Sequence, residues 1–251
     1  AEGSFQCVEQ VHPGADLPLA GAGGRAARRD GPVGVEAAEV VDAEQVVDAE
    51  GVADTPVFGR LPVPDGAAVG CFCESDAVYD SFDDGDFARH AEGSGCVYDN
   101  RTQRNAIRKI KVKHDGEYLC FLLRTKQPVT PYDGTGSWMR LYLNTTGGQG
   151  YQFVLNTHPA PDGTTTLARV TGTDDDDLTA ADLPDVAAFY EVDGDKFKIK
   201  VPLRALGLDP DGFTVWFKAA DSREPIASVE DFYDKGDVAP LGRMNFVYRG
   251  K

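Results

Sequence analysis

The stretch Trp138-Met139-Arg140-Leu141-Tyr142-Leu143-Asn144, with its companion Phe213-Thr214-Val215-Trp216-Phe217-Lys218, decides the fold class. Side chains alternate between the two faces of a strand. In the first segment Met139, Leu141 and Leu143 share one face, and Trp138, Arg140, Tyr142 and Asn144 share the other. In the second, Phe213, Val215 and Phe217 lie opposite Thr214, Trp216 and Lys218. Each segment reads as a strand with an apolar face for a core and a mixed face. The mixed faces carry the only two tryptophans in the chain.

The pattern repeats on either side. Ile107 to Val112 and Tyr118 to Thr125 are apolar runs joined by His114-Asp115-Gly116-Glu117, and Asp-Gly between such runs is a hairpin signal. Tyr118 to Leu123 is apolar on both faces, which predicts a central, doubly covered strand. Further strands are expected at Tyr151 to Asn156, Thr165 to Val170, Ala188 to Val192, Lys196 to Val201 and Met244 to Tyr248. Asp193-Gly194-Asp195 marks a tight turn. Lys196, Lys198 and Lys200 alternate with Phe197, Ile199 and Val201, which predicts one wet face. Pro202 to Gly207 reads as one helical turn stopped by glycine. The expected fold is all-β, a two-sheet antiparallel β-sandwich over residues 67–251.

Residues 1–66 differ: they lack Trp and Tyr and are rich in Ala, Gly, Val and Glu. Val40-Val41-Asp42-Ala43-Glu44 recurs as Val46-Val47-Asp48-Ala49-Glu50, too short an echo for a solenoid. This part is expected to be an irregular N-terminal extension.

The 251 residues carry 25 Lys and Arg against 41 Asp and Glu, a formal charge of -16. That balance argues against nucleic acid and anionic membranes as partners. No apolar run is long enough to span a bilayer, and the start, Ala1-Glu2-Gly3-Ser4, has no signal-peptide pattern. Five cysteines leave at least one thiol unpaired within the chain. Cys71-Phe72-Cys73 is too closely spaced for a structural zinc pair, and Cys120, inside an apolar strand, reads as a small core residue.

A tryptophan beside Arg, Asn or Lys suits a sugar ring, whose C–H faces stack on indole while its hydroxyls bond polar neighbours. The plainer alternative is that a loop or second layer covers both indoles. Several segments together carry a resemblance. They are Trp138 to Asn144, Gly150-Tyr151-Gln152-Phe153-Val154-Leu155-Asn156, Val201-Pro202-Leu203-Arg204-Ala205-Leu206-Gly207-Leu208, Phe217-Lys218-Ala219-Ala220-Asp221-Ser222 and the tail from Asp231 to Tyr248. This succession resembles the family 9 carbohydrate-binding modules and the wider DOMON-like sandwich group, over residues 76–249. The resemblance implies a sandwich that binds an oligo- or polysaccharide between two tryptophans, often with structural calcium, attached to an extracellular or cell-surface glycan-degrading protein. The matching residues here are Trp138 and Trp216, with Arg140, Tyr142, Asn144, Asn156 and Lys218 as polar neighbours. Asn144-Thr145-Thr146 departs from relatives that carry acids there.

For calcium, Asp80, Asp83, Asp84 and Asp86 crowd one loop and offer several oxygens. The run Asp174 to Asp177 reads better as a solvated acidic turn. In the tail, Arg243 is expected to pair with Asp237 and pin the last strand. Haem is not expected, since Met139 points with the apolar face and Met244 lies near the end. Catalysis has little support: there is no nucleophile elbow and no metal-binding His pair, and His12, His90, His114 and His158 are scattered. The reading is a non-catalytic carbohydrate-binding module. The alternatives are a glycan lyase or hydrolase using the same sheet, or a structural sandwich packed on a catalytic domain.

Overall fold

The computed structural model describes residues 8–9, 69–70, 72, 76–80, 87–90, 97–100, 104–148 and 150–251. The described strands are β1 (Val8–Glu9), β2 (Ala77–Asp80), β3 (Phe87–His90), β4 (Val97–Asn100), β5 (Ile107–His114), β6 (Tyr118–Thr125) and β7 (Ser137–Asn144). They continue with β8 (Phe153–Leu155), β9 (Thr164–Val170), β10 (Ala180–Asp193), β11 (Lys196–Pro202), β12 (Phe213–Ser222), β13 (Asp237–Ala239) and β14 (Met244–Gly250). Single 3-10 turns occupy Leu203–Leu206 and Glu230–Tyr233. The described residues all belong to one compact unit, and residues 11–57 lie outside the described residues.

The class is all-β and the pairing antiparallel. The main ladder is continuous, in the order β1-β14-β12-β7-β8-β9-β10-β11-β6-β5-β2, with β13 on β12; β3 and β4 form a separate hairpin. The strands are thus joined in one curled sheet. Its β2 end curls back onto the second and third strands of the other end: the Tyr79 hydroxyl of β2 donates to the Val247 carbonyl of β14 at 2.7 Å, and the Tyr79 ring meets Phe217 of β12 edge-on at 5.0 Å. Within the curl lies the core, built from Ile110, Phe121, Leu123, Leu141, Leu143, Phe197, Ile199, Val215 and Phe217. Of the expected N-terminal extension, Val8–Glu9 pairs with Asn245 and Met244 of β14.

Local chemistry explains most elements. Asp115 accepts the Glu117 and Tyr118 amides at 2.8 and 2.7 Å, closing the β5–β6 turn. Gly207 ends the Leu203–Leu206 turn in the left-handed region at φ 69°, and its N–H satisfies the turn's carbonyls. β6 lies between β5 and β11 and is buried on both faces from Leu119 to Leu123, as its sequence predicts. The expected wet face of β11 holds only in part. Lys200 is 7% exposed, its ammonium 4.5 Å from the Tyr118 ring centre and 5.4 Å from that of Phe189. Cys120 is a buried free thiol, pushed up to about 11 by burial. The other four cysteines lie outside the described residues.

One local irregularity reverses a face. Between β7 and β12, Arg140 pairs with Ala220 but Ser137 pairs with Ser222, so β7 holds one extra residue. This is a β-bulge. Met139 takes up the slack at φ 45°. Two buried side chains clamp it. From β12, the Asp221 carboxylate accepts the Met139 amide at 3.2 Å. From the end of β8, Asn156 donates to the Trp138 and Met139 carbonyls at 3.0 and 3.3 Å. The bulge turns Trp138 inward among core side chains, so it does not share the face of Arg140, Tyr142 and Asn144.

Candidate functional site

The predicted platform residues separate. Trp138 is 3% exposed; its ring meets Phe197 and Tyr190 edge-on, and its indole N–H donates to the Thr130 carbonyl at 2.8 Å. Trp216 is half-buried on the opposite face, alternating with core Val215 and Phe217, and its ring lies against Gly147. Gly147 has φ 76°, and a Cβ there would come within 2.9 Å of the indole. The two indoles therefore do not form one surface.

Three polar candidates are used up by structure. Asn144 donates to the Gly148 and Gly150 carbonyls at 2.7 and 2.8 Å and accepts the Thr146 and Gly147 amides at 3.0 and 2.9 Å, knitting the loop after β7. Asn156 clamps the bulge and accepts the Thr165 hydroxyl at 2.9 Å. Lys218 is fully buried, donates to the Pro240 carbonyl and lies over the Phe232 ring. Their burial rules out the exposed hydroxyl contacts expected of them. For Lys218 the cause is a cover that strand alternation does not reveal: Ile226, Val229, Phe232, Val238 and Leu241 pack on Tyr142, Tyr151 and Val154 of the outer face.

That cover is stitched down. The Ile226 amide donates to the Ser137 hydroxyl, Leu178 N–H to the Ala227 carbonyl and Val229 N–H to the Asp176 carbonyl. Arg243 pairs with Asp176 at 2.8 Å rather than with Asp237, whose carboxylate accepts the Ile107 amide. The acidic run is indeed a turn: Asp174 accepts the Asp176 and Asp177 amides.

Arg140 and Tyr142 remain, and the structure brings them to a cleft of about 230 Å³. Its floor follows the cross-strand row Tyr142, Val154, Ala168, Asp182, on β7, β8, β9 and β10. The hollow exists because Val154 and Ala168 are small while their flanking neighbours are long. Thr157, His158 and Thr179, with Ile226 and Ala227 of the cover, complete its lining. Asp182 accepts the Thr157 hydroxyl at 2.9 Å and lies 3.0 Å from His158 Nδ1. Thr157, Thr179 and Asp182 went unnoticed in the sequence, and His158 was noted only as one of four scattered histidines, because isolated polar residues carry no periodic signal. The one cue is Asn156, whose φ of 74° ends β8 and sends Thr157 and His158 aside.

Two buried atoms in this cleft have no hydrogen-bond partner, Arg140 Nε and the Tyr142 hydroxyl. Burial raises the Tyr142 phenol, and Arg140 and Ser137 beside it counter that push without a well-aligned bond. Arg140 Nη2 reaches the Gly136 carbonyl only at 3.5 Å.

The cover also carries a titratable clip. Burial pushes the Asp231 carboxyl up, but Lys235 and the Ala227 and Ser228 amides hold it below its usual range. A depressed folded value contributes stability above the unfolded value, about 3.9, and loses it as pH falls through the folded value. Acidification below about pH 4 is thus expected to lower hydrogen-exchange protection at Ala227 and Ser228 before the β6 amides. The partly exposed pair is worth about 0.5–1 kcal/mol. Protection lost equally in Asp231→Asn across the same pH steps would show that the clip plays no part.

For a metal, Asp80 is exposed and lies 4.0 Å from Lys109 Nζ, while Asp83, Asp84 and Asp86 fall outside the described residues. Among the described residues no three His, Cys, Asp or Glu side chains converge as a ligand set. No described helix is long and apolar enough to cross a membrane. Comparison with family models, curated proteins and solved structures gives no match to this chain.

Proposed function

We propose that the chain is a non-catalytic carbohydrate-binding domain that takes one glycan unit in the cleft around Arg140, Tyr142 and Asp182. The observation that carries this reading is the Tyr142 hydroxyl, buried at the cleft floor without a hydrogen bond. An unsatisfied buried polar group costs about 1–3 kcal/mol, and a ligand hydroxyl would recover it. Val154 and Ala168 offer apolar surface to sugar C–H groups, and Thr157, Thr179 and Asp182 offer hydrogen bonds to its edge. The volume lies below the roughly 300–1,000 Å³ of typical ligand pockets, which suits a single ring or chain end. The resemblance to family 9 modules and DOMON-like sandwiches, with an extracellular setting and an adjoining catalytic domain, belongs to this reading. Its tryptophan clamp does not, since neither indole lines the cleft.

A glycan array with the full chain is the test. Binding of at least one glycan class is expected, weakened several-fold to tenfold by Tyr142→Phe, the loss of one hydrogen bond, while the melting temperature of the free protein rises, since the unbonded buried hydroxyl is gone. An empty array, or binding lost with Trp216→Ala and untouched by Tyr142→Phe, removes the cleft from the reading.

A glycan lyase is a second reading, favoured by His158 held against Asp182 in the same cleft as Tyr142 and Arg140. The imidazole would take the proton α to a uronate carboxyl as the C4–O bond breaks, and the glycosyl oxygen would take a proton from water and leave as a hydroxyl. Ultraviolet absorbance of an unsaturated product separates the two readings, and none is expected from a binding module.

A further inference from the structure

We infer that the glycan held in this cleft carries a carboxylate, as a uronic acid unit does, and that Arg140 is its recognition residue. The inference rests on the glycan-binding reading and names the class of sugar.

Exposed arginines such as Arg169, Arg204, Arg223 and Arg249 are solvated by water, whereas one taken out of water needs an anion. Arg104, Arg124 and Arg243 each have one, in Asp221, Asp195 and Asp176. Arg140 has none among the described residues, though its side chain is half-buried and its Nε is fully enclosed. A guanidinium taken from water without an anion is costly. The nearby acids are already engaged. Asp182 is held by Thr157 and His158, and Asp231 by Lys235 at 2.8 Å and by two amides. The anion that completes Arg140 is thus absent from the cleft's own residues.

The geometry selects the kind of anion. Guanidinium forks match planar carboxylates through paired N–H donors. The Tyr142 hydroxyl beside Arg140 is a further unpaired donor for the same group. One cation and one phenol suit a single negative charge, and the overall charge of -16 disfavours a multiply charged ligand. Asp182 and the two threonines, across the small floor, can take only neutral hydroxyls. A ring with a carboxylate at one edge and hydroxyls at the other meets both demands.

Calorimetric titration of the full chain with trigalacturonate and trimannuronate, each beside its methyl ester, and with acetate tests this. At least one acid is expected to bind roughly tenfold tighter than its ester, the worth of a charge-assisted bond, and less so at high salt. Arg140→Gln should erase that preference at an unchanged melting temperature, and Arg140→Lys should keep part of it. Acid and ester binding alike, or a neutral glycan binding where both acids fail, overturns the inference and leaves the glycan reading standing. Acetate matching the acids would mean that the sugar is not recognised. No binding by any of these together with an empty glycan array ends both.

Discussion

Asp221→Ala will lower stability by about 3–5 kcal/mol, the cost of breaking a buried pair by removing one partner. The carboxylate is 1% exposed and accepts Arg104 Nε at 2.7 Å, Asn105 Nδ2 at 3.0 Å and the Met139 amide at 3.2 Å. Burial pushes this carboxyl up, and the Arg104 guanidinium pulls it back. Alanine removes the acceptor of three donors and frees one side of the β7 bulge. Asn105 also accepts the Thr130 amide and hydroxyl, so the loop that caps Trp138 should loosen with it. Urea unfolding gives the number, and Asp221→Asn, which keeps an acceptor for Met139, should cost less than alanine. A loss under about 1 kcal/mol, the ordinary surface range, would show that the bulge needs no such clamp.

The two tryptophans should differ widely. Trp138→Ala empties a site ringed by Tyr132, Tyr190 and Phe197 and is expected to cost about 3–5 kcal/mol. Trp216→Ala removes a half-exposed ring and should cost under about 2 kcal/mol, since only part of its surface leaves water. Neither change should alter glycan binding at the cleft directly, so binding is compared under conditions where each variant is fully folded. Equal losses of stability would contradict the opposite facing of the two rings. The measurement therefore tests the bulge and the loss of the shared platform together.

Strand positions were legible because their signals are local. Apolar alternation, Asp-Gly at 115–116, Asp-Gly-Asp at 193–195 and the glycine after Leu206 each act within a few residues, and β5, β6, β7, β9, β11, β12 and β14 form where these signals point. β13 escaped notice: three residues, Asp237–Ala239, acquire strand form only by pairing with β12. The candidate site was legible in part. Arg140 and Tyr142 do share a mixed face, yet their partners Thr157, His158 and Asp182 arrive through cross-strand register.

What the sequence by itself determined is the all-β class, the strand faces away from irregularities, and the buried central place of β6, since period and turn chemistry are short-range properties. Only the tertiary structure decided the rest. A single extra residue in β7 turned Trp138 into the core, because Asp221 and Asn156, distant along the chain, hold Met139 at φ 45°. The segment from Ile226 to Leu241 covered the mixed face and buried Lys218 and Tyr142, because apolar side chains far apart in sequence exclude water together. The cleft is what that cover and the small residues Val154 and Ala168 leave open between them, a shape set by side chains from five separate segments.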